Sequence, residues 1–453
     1  MVTFMQSKVR RPEVRAILHK CFYSPLIIVL ITLLGAGACG GGESAPVPSS
    51  SEPALTPGRA GPHGPGVTET DIMLGMTNDL SGSGETPYGL ITKSIQAYFR
   101  KVSLEDGGVC GRRVVLLAED DGYTPEGALE KTKKLVEQDH VLAMIGALGT
   151  PVHAPVAAYL NDPNGDGNAA DGIPDLFVST GWSGWGDVTK YPWTIGYIPD
   201  YLTDARVLTR YVNEHLKDTK IAILHENDQF GNDYLRGVQE SIASNYHLVS
   251  VQAADTSPDA LKNQLSIIRK AGAEAIILAL SPELSAEVLR IADADGYAPK
   301  WLMSYVNSPS ALARALGGGM LAEQLVKGFE ELKGSISTEY LLSAVDDAEV
   351  PAMREHRRIM ETFNGPVVST LSVYGQSLAE AVIETLKRTC AGITRDAVLH
   401  AAESLQHFHS SLMLNGVEVN LGPEDHFAIQ TLQPVEIQKD GTLKHLGDPV
   451  AVE

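Results

Sequence analysis

TDIMLGMTNDLSG (70–82) and YGLITKSIQAYFRKVSLEDGG (88–108) are the two segments of the sequence that decide the fold class. The first is an apolar run of strand length that ends in a glycine-containing turn. The second has the 3.6-residue spacing of an amphipathic helix, with Ile91, Ile95, Tyr98, Phe99 and Val102 on one face. Together they predict a strand, a turn and a helix in that order.

The same unit recurs along the chain, each time as an apolar run followed by a segment of helical period. The further runs are RRVVLLAEDD (112–121), VLAMIGAL (141–148), IAILHEND (221–228) and EAIILALS (274–281). Thr124 and Pro125 have the residue types that open a helix, and Gly272 and Gly296 those that close one. Continuous apolar strands with helical crossovers indicate parallel sheets covered on both faces. The predicted fold class is α/β, with a doubly wound arrangement that is present twice.

Length and charge limit the possible functions. The 453 residues carry a net charge of −20, and because residues 1–38 carry +4, the remainder carries −24. Such an acidic chain is a poor candidate for binding nucleic acid. The region after residue 66 has about 385 residues, which is too long for one core and suits two lobes.

The N-terminal region predicts export. Basic residues precede the apolar run CFYSPLIIVLITLLGAGAC (21–39), so we interpret 1–38 as a signal peptide and Cys39 as a lipid acceptor. Ala36 departs from the aliphatic residue usual three positions before that cysteine, and an uncleaved anchor or simple cleavage stays an alternative. Residues 39–66 are rich in Gly, Pro and Ser and predict a flexible linker. The expected location is extracytoplasmic, at the membrane, in a periplasm or on the outer face of the cell.

Two cysteines remain for the folded region, Cys110 and Cys390. An even number in an oxidising compartment suggests one disulfide, with two separately buried thiols as the alternative.

Loops that follow the predicted strands are the candidate ligand site, because ligands of open α/β sheets bind beyond the carboxyl ends of the strands. These loops are small, hydroxylated and aromatic, as in GALGTPVH (146–153) and STGWSGWGD (179–187). The sequence has no nucleophile elbow, phosphate-binding loop, dinucleotide fingerprint or zinc-protease motif. We therefore expect a binding protein, not an enzyme, and no catalytic cofactor.

IMLGMTNDLSGSGETPYG (72–89), MIGALGT (144–150), IAILHENDQFGND (221–233) and SPELSAEVLRIADADG (281–296) resemble the branched-chain (Leu/Ile/Val) amino acid binding proteins, in the hydrophobic amino acid and amide class of ABC-importer solute-binding proteins. The resemblance implies a type I periplasmic-binding fold of two Rossmann-like lobes joined by three crossings. It places lobe 1 at 67–198 and 330–432, and lobe 2 at 199–329 and 433–453. The crossings are expected near 197–201, 327–331 and 430–435.

The resemblance also implies ligand-binding residues. Thr150 falls near a carboxylate-binding serine of the family, and Ser183 matches a threonine that contacts the ligand's amino and carboxylate groups. Tyr88 matches an aromatic residue at the pocket wall, and Phe230 matches a tyrosine of the second lobe that packs over the ligand. Trp182 and Phe230 are expected to set the size of the apolar part, and Ser281 and Tyr305 complete the predicted ligand-binding residues.

Tyr305 stands where amino-acid binders of this family have a glutamate that pairs with the ligand's ammonium. A buried ammonium without a carboxylate partner is costly, so Asp200 or Glu283 would have to replace it. The expected solute is a small carboxylate, which leaves open a hydrophobic amino acid, an amide, a 2-oxo acid or an aromatic acid.

NDPNGDGNAADGIPD (161–175) has the opening spacing of an EF-hand-type calcium loop, with oxygen-bearing residues at alternate positions before Gly167. Ile173 occupies the position of the usual bidentate carboxylate, and a solvated turn is the alternative. The candidate ligands are Asp162, Asn164, Asp166, Asn168, Asp171 and Asp175, and the expected role of the calcium is structural.

Two function classes follow from the resemblance. The first is a monomeric receptor that delivers its solute to the membrane permease and ATPase of an ABC importer. The second is a sensory receptor of the same fold without a transport role.

Overall fold

The structure is a computed structural model that describes residues 63–81, 88–244, 247–254, 257–319 and 322–451. The predicted signal peptide, Cys39 and the linker up to residue 62 lie outside these residues. Residues 63–66 were predicted as linker, but they are held against the first lobe. The amide of Gly64 donates to the carbonyl of Ile393 at 2.7 Å, and the amide of Met73 donates to Gly66 at 2.8 Å.

The first lobe contains a five-stranded parallel sheet in the order β2-β1-β3-β4-β5. Its strands are β1 (Asp71–Asn78), β2 (Arg113–Asp120), β3 (Ala143–Ile145), β4 (Asp175–Val178) and β5 (Thr194–Gly196). Its helices are α1 (Gly89–Glu105), α2 (Pro125–Lys133) with a π-helical turn at Lys134–Gln138, and α3 (Thr150–Asn161). Short 3₁₀ turns lie at Ala169–Asp171 and Ser183–Gly186.

The second lobe repeats the arrangement. Its helices are α4 (Tyr201–His215), α5 (Gln229–Ser241), α6 (Pro258–Lys270), α7 (Pro282–Ala294), α8 (Pro309–Gly317) and α9 (Ala322–Leu332). Its strands are β6 (Lys220–Glu226), β7 (His247–Ala254), β8 (Ala275–Ala279), β9 (Lys300–Met303), β10 (Ile336–Glu339), β11 (Thr431–Ile437), β12 (Leu443–His445) and β13 (Val450–Ala451).

The parallel part of the second sheet runs β10-β9-β8-β6-β7. This is the same order as in the first sheet, with each lobe's first strand between its second and third. β11 is antiparallel to β10, and β12 and β13 are antiparallel to β11. The doubly wound α/β class is therefore confirmed in both lobes.

Three helices after β10 return to the first lobe. They are α10 (Pro351–Thr362), α11 (Thr370–Lys387) and α12 (Arg395–Glu403), and α11 packs along α1. Because β10 pairs with β9 and β11, the chain leaves the second lobe after Glu339, about ten residues later than the return expected near 327–331. The short strand ISTE has one large apolar residue, so its sequence gave no strand signal.

The helices contain the buried faces and the capping residues that the sequence predicts. In α1, Ile91, Ile95, Phe99 and Val102 are buried. Thr124 caps α2 by accepting a hydrogen bond from the amide of Gly127, with Pro125 in the first turn. Gly272 and Gly296 follow α6 and α7 with φ of 75° and 61°, a left-handed conformation that glycine adopts without strain.

The predicted disulfide is confirmed. Cys110, in the loop after α1, is bonded to Cys390, which follows α11, and 280 residues separate the two. The bond links two segments of the first lobe that are distant in sequence. No helix among the described residues combines the length and apolar character needed to cross a bilayer.

Candidate functional site

A cavity of about 470 Å³ lies between the lobes, at the carboxyl ends of their strands. In each sheet the strand order reverses beside the first strand, which leaves a crevice where crossovers diverge to opposite faces. In the first lobe, Asp79 follows β1 and Thr150 follows β3. In the second lobe, Glu226 is the last residue of β6 and Ser281 follows β8, and all four residues line the cavity. The two crevices face one another across this cavity.

The first-lobe wall contains a helix N-terminus that no described side chain caps. Gly149 has φ 92° and precedes α3, whose first residue is Thr150. A Cβ at Gly149 would lie 3.0 Å from the Tyr123 ring, so the close approach requires glycine. The Thr150 hydroxyl lies 2.6 Å from that of Thr180 and 3.3 Å from that of Tyr201. Unpaired amides and a hydroxyl at the positive end of a helix suit an anionic group.

The second-lobe wall carries acidic groups at its helix N-termini. Asp228 caps α5 by accepting from the amide of Gly231 at 3.0 Å. Glu226 accepts from the amide of Ser281, the residue before α7, at 2.6 Å, and burial raises the pKa of Glu226. Glu283, in the first turn of α7, also lines the cavity.

Aromatic rings supply most of the remaining surface. The lining rings are Tyr88, Tyr123, Tyr201, Phe230, Tyr305, Tyr340 and Tyr374. Tyr88 stacks on Tyr123 with ring centroids 5.8 Å apart, and Tyr201 packs on Phe230 at 4.5 Å. The Tyr305 hydroxyl donates to the carbonyl of Pro199 at 2.5 Å. Its ring therefore serves as a wall while its polar atom is bonded elsewhere.

Glu339 lines the floor of the cavity, at the end of β10. Burial is the main cause that raises the pKa of its carboxyl to about 8, and the charges of Asp204, Asp346 and Asp347 raise it further. Asp204 is fully buried beneath the floor and has a pKa of about 6, also raised chiefly by burial.

Five of the seven residues proposed for ligand binding line this cavity, namely Tyr88, Thr150, Phe230, Ser281 and Tyr305. Of the two carboxylates proposed to replace the missing glutamate, Glu283 also lines it. Asp200 does not, because it caps α4 by accepting from the amide and hydroxyl of Thr203 at 3.0 and 2.5 Å.

Trp182 and Ser183 were also predicted to bind the ligand, but neither of them lines the cavity. The chain after β4 makes a 3₁₀ turn that directs Ser183 toward α5. There the amide and hydroxyl of Ser183 donate to the carboxylate of Asp233 at 2.7 and 2.8 Å, and Arg236 donates to the same hydroxyl. Trp182 packs edge-on against Trp185, with ring centroids 4.7 Å apart.

Several lining residues were missed from the sequence. Tyr123 is recognisable as the aromatic residue in the loop after β2, and Tyr201 as the first residue beyond the first crossing. Tyr374 lies inside α11 and reaches the cavity through tertiary packing alone, where its hydroxyl lies 2.6 Å from that of Ser179. Glu339 was missed because β10 was not predicted.

The loop proposed for calcium folds around its own side chains. The Asn164 amide donates to Asp171 at 2.5 Å, the Gly167 amide donates to Asp162 at 3.2 Å, and Asn168 caps the next turn. Asp175 was proposed as a calcium ligand, but it lies outside this loop: it is fully buried in β4, and its carboxylate accepts a hydrogen bond from the Thr194 hydroxyl. The described residues contain no group of three or more His, Cys, Asp or Glu side chains placed to hold a metal ion.

Comparisons with known proteins agree with this architecture. Residues 71–442 match the family model described as periplasmic binding protein. A curated relative, Leu/Ile/Val-binding protein homolog 3 of Brucella melitensis, is 23% identical over 219 residues, which cover 46% of this chain and 53% of the relative. The match thus spans about half the length of that protein.

Solved structures share the fold at low identity. A branched-chain amino acid ABC transporter protein of Thermus thermophilus with bound valine superposes with a TM-score of 0.72 at 15% identity, covering 84% of this chain and 97% of that one. A fatty acid ABC transporter substrate-binding protein of Thermomonospora curvata gives a TM-score of 0.69 at 22% identity, covering 86% and 95%. Since the family model spans most of the sequence and both lobes have the matching fold, the chain belongs to the periplasmic binding protein family.

Proposed function

We propose that the chain is an extracytoplasmic solute-binding lipoprotein of an ABC importer, which captures a small carboxylate-bearing solute by closing its two lobes. The observation that carries this proposal is the cavity itself. It lies between two matching sheet edges and offers an uncapped helix N-terminus and hydroxyls on one wall and aromatic rings around the others. Such a combination fixes a polar head and encloses an apolar body.

The carboxylate is assigned to the start of α3. The Thr150 hydroxyl and the free amides in the first turn of α3 would donate hydrogen bonds to the carboxylate, and Tyr88 and Phe230 would cover the apolar part of the solute. The similar structures bind valine in one case and are named for fatty acids in another. Both kinds of molecule have a carboxylate joined to an apolar body.

The test is calorimetric titration of the region after Cys39 with leucine, valine, 2-oxo acids, amides, aromatic acids and fatty acids. For the solute that binds, Thr150→Ala should weaken affinity about 10- to 100-fold, the loss of one hydrogen bond to a charged group. Thr150→Ser should keep most of the affinity because it retains the hydroxyl. Thr219→Ala, at a half-buried threonine outside the cavity, is the matched control. Equal affinities for all four proteins would refute the assignment to α3.

The lipid anchor at Cys39 is part of the proposal. Its support is the order of basic residues, apolar run and cysteine in the sequence, followed by a Gly/Pro/Ser-rich segment. Expression of the full chain in a bacterial host with a labelled fatty acid should label the wild type and leave Cys39→Ser unlabelled. Label on both proteins would place the lipid elsewhere.

Structural calcium at 162–171 also remains a proposal, supported by the spacing of Asp162, Asn164 and Asp166 and by the buried, unbonded Oδ1 of Asp162. Calcium should raise the melting temperature of the wild type and have no effect on Asp162→Ala. An equal response of the two proteins to calcium would exclude this loop.

A further inference from the structure

The charged groups that line the cavity indicate which charges the solute carries, and this inference rests on the function proposed above. Five carboxyl groups line the cavity, those of Asp79, Glu226, Asp228, Glu283 and Glu339. No lysine, arginine or histidine is found among its described lining residues. A solute whose only charge is a carboxylate would therefore enter surroundings of its own sign.

Some of these carboxyl groups have partners in the protein. Asp228 caps α5, Glu226 accepts from the amide of Ser281, and Asp79 accepts from the hydroxyl of Ser81. Bonds to helix N-termini spread the negative charge of Asp228 and Glu226 into the second lobe. These groups are explained by the fold around them.

Glu339 differs from them. No hydrogen bond or ion pair reaches its carboxyl group from any described residue, although the group is largely removed from water. Its charged neighbours in the protein are Asp204 on α4 below it and Asp346 and Asp347 in the segment that follows β10. All three have the same sign as Glu339, so the protein itself supplies no compensation.

The residues around Glu339 do not supply a hydrogen-bonding or charged partner for its carboxyl group either. The carboxylate of Asp204 accepts from the hydroxyls of Thr338 and Tyr234 and from the amide of Tyr305, which occupies it within the second lobe. His445 on β12 lines a smaller cavity that Glu339 also lines, but among the described contacts no bond joins the two side chains.

A carboxyl group in this position is unfavourable for folding alone, since a buried charge needs a partner. Groups of this kind are concentrated where a ligand supplies the missing partner. The rings of Tyr305 and Tyr340 lie beside this floor, with centroids 5.7 Å apart, and aromatic faces attract cations. The carboxyl group of Glu339 and these two rings together form a candidate cation-binding site.

We propose that Glu339 is the specificity-determining residue for an ammonium group of the solute. The bound molecule then has two charged ends, a carboxylate at the start of α3 in the first lobe and an ammonium at the end of β10. Because the chain crosses between the lobes immediately after Glu339, such a solute contacts both the first lobe and the hinge.

The experiment compares molecules that share one carbon skeleton and differ only in charge. One set is leucine, isopentylamine and 4-methylpentanoate, and a second is phenylalanine, 2-phenylethylamine and 3-phenylpropanoate. Each is titrated calorimetrically into wild type, Glu339→Gln and the control Glu349→Gln, whose glutamate is exposed and outside the cavity. In at least one set, we expect the molecules with an ammonium to bind wild type more tightly than the acid. Glu339→Gln should weaken their binding at least tenfold, and Glu349→Gln should not.

A measurement on wild type alone keeps the proposal testable if the variant does not fold. Only the ionised carboxylate pairs with an ammonium, so affinity for the amine-bearing molecules should rise between pH 6 and pH 8. Their binding at pH 7 should release protons, seen as a dependence of the binding heat on the ionisation enthalpy of the buffer. The acids should show the opposite trend with pH.

The outcomes separate this inference from the function on which it rests. If the acids bind as tightly as the amino acids and Glu339→Gln changes nothing, the receptor stands and the role of Glu339 is refuted. If the amines bind as tightly as the amino acids of the same skeleton, Glu339 is supported and the carboxylate site at α3 is in error. If no molecule of either set binds, and none of the wider solute panel, both proposals fall.

Discussion

Glu339 illustrates, at the scale of one residue, how a binding site can oppose stability. The pKa of its carboxyl is about 8 in the folded protein, against an ordinary value of 4.5. The folded state therefore binds this proton more tightly than the unfolded state. The resulting stabilisation is complete below pH 4.5 and is lost as the pH rises through 8.

We expect Glu339→Gln to stabilise the protein in the absence of solute. The gain should be near zero at pH 4.5 and reach about 2–5 kcal/mol at pH 9, because glutamine has no charge to bury. Urea unfolding at both pH values measures it, with Glu349→Gln as the control. A gain of equal size at pH 4.5 and 9 would show that packing, not charge, is responsible.

Residue roles could be predicted where the chain follows a strand and not where tertiary packing decides. Thr150 and Ser281 lie in or next to the loops that follow β3 and β8, so their place at the cleft follows from topology. Ser183 also follows a strand, yet its 3₁₀ turn directs it to Asp233. Tyr374, inside a helix that returns late in the chain, gave no local signal.

At the scale of elements, the long apolar strands and the capped helices were predictable, because each has its own local signal. β10 was not predictable, because its four residues have little strand character of their own and form a strand through pairing with β9 and β11. The position of the second crossing depends on that strand, which explains why the predicted lobe boundary fell too early.

The disulfide is the covalent link between two elements, the loop after α1 and the end of α11. Replacing both Cys110 and Cys390 with serine should lower the free energy of unfolding by roughly 2–5 kcal/mol, because a closed loop of this length restricts the unfolded chain. Urea denaturation measures the loss. A reducing agent should lower the stability of the wild type and leave that of the double variant unchanged; a response of both would point to another cause.

At the scale of the whole molecule, two sheets of the same strand order place their strand ends across one cavity, and the lobes also meet at its rim. The Ser310 hydroxyl, at the start of α8 in the second lobe, lies 2.7 Å from that of Thr370, at the start of α11 in the first lobe. Both residues are in the first turns of helices that contribute lining residues to the cavity. This contact joins the lobes away from the three crossings.

If the solute enters by separation of the lobes, a covalent bond at this contact should trap it. We expect oxidised Ser310→Cys/Thr370→Cys to exchange solute at least tenfold more slowly than the same protein before oxidation, because hinge opening controls access to an enclosed site. Stopped-flow displacement of a bound solute measures the rate. Ser310→Cys alone, treated with the same oxidant, keeps the native disulfide and should exchange as fast as wild type. Equal rates before and after the engineered bond forms, with the bond verified by mass spectrometry, would mean that solute reaches the cavity without parting the lobes at this rim.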